Sequence, residues 1–323
     1  MEDWKDVLKE HLFSEKSESE IGKIVEDNRK NIPKSLYRYR SFNENNLRCL
    51  REDNTWCASA QTFNDPYDST VKLSMSEQDK KDLYIKGFLI SLKMLNIPFL
   101  EQDIIERIKQ SPNPEIEYAK ILKKQTSTVD INMLENMRDD FNKKLDEQYI
   151  SEGVRATKIL KTMYKISCFC ENLHSMPMWY HYADRYRGFV AEYNFSEVNE
   201  ILEHLWPVLY TKKLFDLSAY LKAVLDGKSP NKMMAIFACI TKSIDWSYEK
   251  EWRLIHYDGS MQKGQLYPAP KIKALYIGKD AGDSDRKTLI EIAGSKTVPV
   301  YDMELAQSEF RMIPHLVEND TKI

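Results

Sequence analysis

Several short stretches of the chain alternate apolar with polar or small residues, which is the period of a β-strand. Ile-Ser-Cys-Phe-Cys at residues 166–170 is one example. Successive side chains of a strand point to opposite faces, so Arg38 and Arg40 are expected to share one face of the first strand. The same alternation predicts strands at residues 36–40, 55–59, 166–170, 188–195, 207–210, 246–255, 272–277, 298–301 and 309–313.

Helical spacing replaces this alternation in the second quarter of the chain. Apolar residues such as Phe141 and Leu145 recur there at intervals of three and four, as on an amphipathic helix. Residues 178–183, Met-Trp-Tyr-His-Tyr-Ala, predict a short aromatic helix. Together the patterns predict an α+β fold, a mixed central sheet with flanking helices and a helical insertion after the second strand. The predicted parts are an N-terminal helical segment 1–30, a first core part 31–74, the insertion 75–161 and a second core part 162–323.

Composition narrows the class of protein. A chain of 323 residues with 42% hydrophobic residues has enough apolar material for a real core. Its 47 basic and 50 acidic residues give a net charge of −3, so no global field draws it to nucleic acid or membranes. Its five cysteines show no disulfide spacing, and the longest apolar run, 233–240, is too short to span a bilayer. These features predict a cytoplasmic protein with reduced thiols and no membrane partner.

In two segments, the sequence predicts where the polar side chains point. Pro66 favours an extended conformation at Asp65, and the side chain of Asn64 is expected to close an Asx turn. The predicted strand 246–255 sends Glu249, Glu251 and Arg253 to one face.

Three other candidate sites gain little support from the sequence. Cys168 and Cys170 are separated by one residue, which is not the spacing of a structural zinc site, so His174 and His181 are not expected to complete one. No residue near either thiol indicates a nucleophilic cysteine. Residues 278–282, Gly-Lys-Asp-Ala-Gly, do not form a phosphate-binding fingerprint and predict a turn before a helix.

The remaining candidate site combines charged and amide side chains with aromatic rings, namely Arg38, Arg40, Asn64, Asp65, Trp179, Tyr182, Glu249, Glu251 and Arg253. A purely structural network of salt bridges would account for its charged residues equally well. The mixture nevertheless suits cleavage of a glycosidic bond to a cationic base, because an oxocarbenium-like state is stabilised by a carboxylate, and rings and cationic donors bind the rest of a nucleotide. We expect Glu251 and Glu249 to be catalytic. The expected ligand-binding residues are Arg38, Arg40, Asn64, Asp65, Trp179 and Tyr182.

The motifs at residues 36–41, 63–68, 168–188 and 248–253 together resemble a bacterial family known as domain of unknown function 2971. The resemblance extends over most of residues 35–315. It implies a bacterial cytosolic protein, of a kind associated with phage defence or stress, and it assigns no reaction.

The order of the parts is also similar to the plan of ADP-ribosyltransferases. That resemblance implies NAD as the substrate, with Arg38 or Arg40 on the adenosine ribose or pyrophosphate. Tyr182 or Trp179 would then stack on nicotinamide. Glu251 would orient the ribose hydroxyl and stabilise the cation, and Glu249 would prepare a protein or nucleic-acid acceptor.

Two other functions stay open at this point. Asp65, Asp68, Glu249 and Glu251 are oxygen ligands that suit magnesium or manganese, as in a metal-dependent nuclease or phosphodiesterase. The third interpretation is a non-catalytic ligand-sensing or protein-interaction module, in which the aromatic segment holds a nucleotide-like ligand and the helical insertion docks another protein.

Overall fold

A computed structural model describes residues 4–13, 18–94, 102–111, 113–123, 131–196, 199–227 and 233–317. The helices are α1 Trp4–Phe13, α2 Glu18–Lys30, α3 Glu44–Arg51, α4 Glu77–Met94, α5 Gln102–Gln110, α6 Pro114–Lys123, α7 Ile131–Met163, α8 Met176–Tyr182, α9 Asn199–Leu202, α10 Ser218–Leu225, α11 Met233–Ile240 and α12 Asp283–Lys296. The strands are β1 Ser35–Arg40, β2 Asn54–Ser59, β3 Val71–Lys72, β4 Tyr164–Cys170, β5 Phe189–Asn194, β6 Leu205–Pro207, β7 Leu209–Thr211, β8 Phe215–Asp216, β9 Thr241–Ser243, β10 Glu251–Tyr257, β11 Gly264–Pro268, β12 Ile272–Ile277, β13 Val300–Leu305 and β14 Met312–Leu316.

The central sheet is mixed, which confirms the predicted α+β class. Its strands run in the order β11-β2-β4-β1-β5-β12-β13-β14, and β10 adds to β4 and carries β6. Most neighbours are antiparallel, whereas β12 and β13 are parallel and are connected through α12. The predicted strand at 166–170 therefore pairs with both of the predicted strands at 36–40 and 55–59.

The sheet opens between β1 and β2, both of which pair with the same edge of β4. Strand β2 pairs with β4 at Ala58↔Ile166 and Ser59↔Lys165, near the beginning of β4. Strand β1 pairs with β4 only at Tyr37↔Cys170, at its end. On the other edge, β10 pairs with β4 along its whole length. The central residues of β4 therefore border an opening in the sheet.

Apolar side chains cover both faces of this sheet. On one face, Phe169, Trp252 and Leu275 belong to a cluster that includes buried residues of α3 and α12. On the other face, Tyr39 packs with Trp179 of the aromatic helix α8. The first strand therefore places Tyr39 and Arg38 on opposite faces, as its alternation predicts.

Contacts divide the chain into two compact units. The first comprises residues Met1–Val71, Thr157–Phe215 and Ala223–Ile323 and contains the central sheet. The second comprises Lys72–Ala156 and Asp216–Lys222. Within the second unit, Lys80 of α4 forms an ion pair with Asp146 of α7 at 2.8 Å, and the Tyr84 and Phe141 rings pack 5.4 Å apart. No helix of the described segments is long and apolar enough to cross a membrane.

The predicted strand at 246–255 begins later than its alternation indicates. Residues Ile244–Glu249 form a 3-10 helix, and Lys250 adopts a left-handed conformation with φ 44° before β10 begins at Glu251. Glu249 therefore reaches the site from a helical turn and not from the strand. The prediction that Glu251 and Arg253 share a strand face is confirmed, because Arg253 Nε donates a hydrogen bond of 2.9 Å to Glu251 Oε1.

Candidate functional site

A cavity of about 920 Å³ lies at the opening in the sheet, inside the first unit. Its walls come from β1, β2, β4, α3, α8 and the segment that precedes β10. They include side chains from both faces of the sheet, such as Arg38 on one and Cys170 on the other. The cavity therefore extends across the sheet where β1 and β2 diverge. Its volume is near the upper end of the range for small-molecule sites, about 300–1,000 Å³.

One end of the cavity is a cluster of buried charges. Lys242 Nζ lies 2.5 Å from Glu249 Oε2 and 3.0 Å from Glu251 Oε2, so one ammonium bridges both carboxylates. Arg253 donates to Glu251 Oε1 at 2.9 Å and forms a bidentate pair with Asp68 at 2.7 and 2.6 Å. All five side chains line the cavity, yet each residue is at least nine-tenths buried. With three carboxylates against two cations, the cluster carries a net charge of −1 when every group is ionised.

The pKa values of the two glutamates of this cluster are shifted in opposite directions. Burial raises the pKa of Glu249, and the neighbouring charge of Glu251 raises it further, although Lys242 opposes the shift. Burial also acts on Glu251, but Arg253 and Lys242 overcome it and lower its pKa to about 2. Glu251 therefore stays ionised, whereas Glu249 is the carboxyl that accepts a proton more readily. Paired carboxyl groups whose pKa values are pushed apart are typical of acid-base sites.

Tyr182 connects the aromatic helix to this pair. Its hydroxyl donates to Glu249 Oε1 at 2.6 Å and accepts a bond of 3.4 Å from Asn64 Nδ2. Both Tyr182 and Asn64 line the cavity. Hydrogen bonds thus connect Asn64 and Tyr182, which were predicted to bind ligand, to Glu249, which was predicted to be catalytic.

The other end of the cavity is cationic. Arg38 and Arg40 of β1 line it together with Arg48 of α3. Arg38 Nη2 donates to the Trp56 carbonyl at 2.6 Å, and Arg40 Nη1 donates to the Tyr39 carbonyl at 3.2 Å. None of the three arginines forms an ion pair with a carboxylate of the described residues. Positive charge at this end is therefore uncompensated by the part of the chain that is described.

Two predicted ligand-binding residues lie outside the cavity lining. The side chain of Trp179 is 0% exposed, packs edge-on against Tyr39 at 5.4 Å and donates from Nε1 to the Leu173 carbonyl at 2.8 Å. Its ring has no face open for stacking, and the aromatic residues of α8 that line the cavity are His181 and Tyr182. Asp65 is also buried, and its Oδ1 accepts from the Tyr67 backbone at 2.9 Å. The Asx turn of this segment is therefore closed by Asp65 and not by Asn64.

Sequence reasoning missed two cations of the site. Lys242 lies in β9, a strand of three residues with no local motif, and Arg48 lies on a surface helix. Charge balance is the signal that could have found Lys242. Two glutamates and an aspartate buried beside one arginine require a second cation, because an unpaired buried charge is strongly destabilising.

The cysteine and metal alternatives gain no support from this geometry. Cys168 and Cys170 line the cavity, but burial raises the pKa of both thiols, so neither is favoured as a thiolate. In the described part of the chain no group of three or more His, Cys, Asp and Glu side chains is arranged to hold a metal ion. The carboxylates of the cluster are instead directed at Lys242 and Arg253.

The fold and site together define a class, namely an α+β protein whose central sheet opens around a cavity with an acidic and a cationic end. Residues 178–254 match the model of a family described as "Protein of unknown function (DUF2971)". The matched segment contains Tyr182 and four of the five members of the charge cluster, and the fifth, Asp68, is bound by Arg253. The predicted resemblance to this family is confirmed over that segment, and the motifs at 36–41 and 63–68 lie outside it. No curated protein and no solved structure matches the chain.

Proposed function

We propose that the protein cleaves the glycosidic bond between nicotinamide and ribose in NAD, as an NAD glycohydrolase or an ADP-ribosyltransferase. The observation that carries the proposal is the arrangement of the cavity. An ionised and a protonatable carboxyl meet at one end, and the other is lined by three arginines that form no ion pair with the described residues. NAD has a cationic base at one end of a ribose and an anionic pyrophosphate beyond it, so its charges are complementary to those of the two ends of the cavity.

The chemistry assigns a different task to each glutamate. As the bond breaks, its electron pair leaves with nicotinamide and the ribose becomes an oxocarbenium-like cation. The permanent charge of Glu251 stabilises that cation, because it is already present and requires no reorganisation. Glu249 accepts the proton of the attacking water or acceptor hydroxyl, and Tyr182 orients it through the 2.6 Å hydrogen bond. The products are nicotinamide, ADP-ribose bonded to the nucleophile, and one proton. Consumption of NAD would also suit a phage-defence effector or toxin.

The test is incubation of the dialysed protein with NAD, with chromatography of the products in the presence and absence of a chelator. We expect nicotinamide to appear at the same rate in both cases. Unchanged NAD, with water alone and with protein and nucleic-acid acceptors, would contradict the proposal. Binding of NAD without turnover would favour the sensor function instead, and activity that requires a divalent ion would favour a metal-dependent phosphodiesterase.

A further inference from the structure

A buried guanidinium at the cationic end of the cavity lacks a full set of partners. Arg38 is 5% exposed, and its Nε is buried with no hydrogen-bond partner among the residues that the structure describes. The same side chain lies over the Phe169 ring, 5.5 Å from its centroid, and uses Nη2 on the Trp56 carbonyl. A buried donor without a partner is costly, and a buried cation without an anion is more so. The cavity beside Arg38 is therefore prepared for an acceptor that carries negative charge.

The surroundings of Arg38 indicate which anion fits. Arg40 adds a second guanidinium. Among the described residues it donates one hydrogen bond, to the Tyr39 carbonyl of its own strand. Arg48 adds a third from the exposed side of α3, and Ser41, Asn45 and Asn46 add polar groups to the same wall. Guanidinium groups bind phosphate oxygens in a bidentate manner, and amides complete the hydrogen bonding. Three cations at one end suit two phosphates better than a single carboxylate.

The far end of the cavity fixes the direction of the ligand. The cluster of Asp68, Lys242, Glu249, Glu251 and Arg253 holds three carboxyl groups against two cations, so with every group ionised it carries a net negative charge and would repel phosphate. We propose that the cavity binds a pyrophosphate-bearing nucleotide with its phosphates on Arg38, Arg40 and Arg48 and its base-bearing ribose at Glu249 and Glu251. The orientation rests on the proposed function, whereas the phosphate site stands on the cavity alone.

The test is calorimetric titration with ADP-ribose, which has the pyrophosphate but no nicotinamide, and with adenosine, which has no phosphate. We expect ADP-ribose to bind more weakly as salt is raised, and adenosine to bind at least tenfold more weakly than ADP-ribose. Arg48→Gln should weaken the binding of ADP-ribose about tenfold, because it removes one charged contact. Arg51→Gln is the matched control. Arg51 lies on the same helix, pairs with Glu44 at 2.8 Å and is outside the cavity lining.

Arg40→Gln is a second variant, with thermal unfolding to confirm that it folds. Binding of ADP-ribose that is unchanged in both Arg48→Gln and Arg40→Gln, or equal binding of adenosine and ADP-ribose, would overturn the phosphate site. Absence of ADP-ribose binding would also overturn it. Cleavage of NAD by the same preparation would then leave the proposed function standing. Conversely, binding of ADP-ribose that depends on Arg48, without cleavage of NAD, would support the phosphate site and contradict the proposed reaction.

Discussion

At the scale of single residues, the site depends on how Glu249 and Glu251 are held. Both contact Lys242, but only Glu251 also contacts Arg253. This asymmetry keeps one carboxylate ionised and leaves the other able to take a proton. The difference between the two side chains leads to three predictions.

Glu251→Gln should reduce NAD cleavage by roughly two orders of magnitude or more, because the amide keeps the shape of the side chain but removes the charge that stabilises the ribosyl cation. The measurement is the initial rate of nicotinamide release. Glu304→Gln is the matched control, since Glu304 is exposed on β13 and does not line the cavity. Equal rates for the two variants would remove Glu251 from the reaction.

Tyr182→Phe should shift the pH dependence of kcat/KM. The hydrogen bond from Tyr182 lowers the pKa of Glu249, so its loss raises that pKa. A base with a higher pKa becomes ionised at higher pH, and the acidic limb of the profile should therefore move upward. Tyr180→Phe, on the exposed side of the same helix, should leave the profile unchanged. An unshifted limb in Tyr182→Phe would exclude Glu249 as the titrating base.

The pKa of Glu251 also predicts how stability depends on pH. A carboxyl whose folded pKa lies below its ordinary value of 4.5 contributes stability above that value and loses it as pH falls toward about 2. The wild-type Tm should therefore fall more steeply than that of Glu251→Gln between these pH values. Thermal unfolding at a series of pH values measures this. Parallel curves would show that Glu251 has an ordinary pKa in the folded protein.

At the scale of elements, the alternation of residues predicted the strands that surround the site. It failed at 246–255, where spacing alone could not reveal that Lys250 takes a left-handed conformation and ends a 3-10 turn. It also could not show that Trp179 faces the core and Tyr182 the cavity, because both rings lie on one short helix. Arg48 and Lys242 were missed because no local motif marks them: Lys242 lies in a three-residue strand outside the central sheet, and Arg48 lies on the exposed side of α3.

The turn after α8 gives a prediction at this scale. Asp184, Arg185 and Tyr186 all have positive φ, and the Tyr186 carbonyl lies where a side chain on Gly278 would begin. A Cβ at Gly278 would be 2.1 Å from that oxygen, so the turn or β12 must move. Gly278→Ala should lower the free energy of unfolding by about 1–3 kcal/mol.

Denaturant unfolding measures this effect, with Gly294→Ala as control. Gly294 lies in α12, and a methyl group on its Cα would meet open space, so alanine there should be neutral or stabilising by up to about 1 kcal/mol. Equal stability of the two variants would show that the turn is not held against Gly278.

At the scale of the whole first unit, the proposals require that one ligand reaches both ends of one cavity. The cavity exists because β1 and β2 share an edge of β4 only at its two extremities. No single element carries this feature, and the sequence could predict the strands but not the opening between them. The predicted division of the core at residues 75–161 stays a prediction.

A crystal structure of Glu251→Gln with NAD would test most directly whether one ligand reaches both ends of the cavity. We expect density for NAD in the cavity, with the pyrophosphate within hydrogen-bond distance of Arg38, Arg40 or Arg48 and the nicotinamide ribose beside residues 249 and 251. NAD bound outside the cavity, or bound with its phosphates against the Lys242 cluster, would contradict the proposed binding mode.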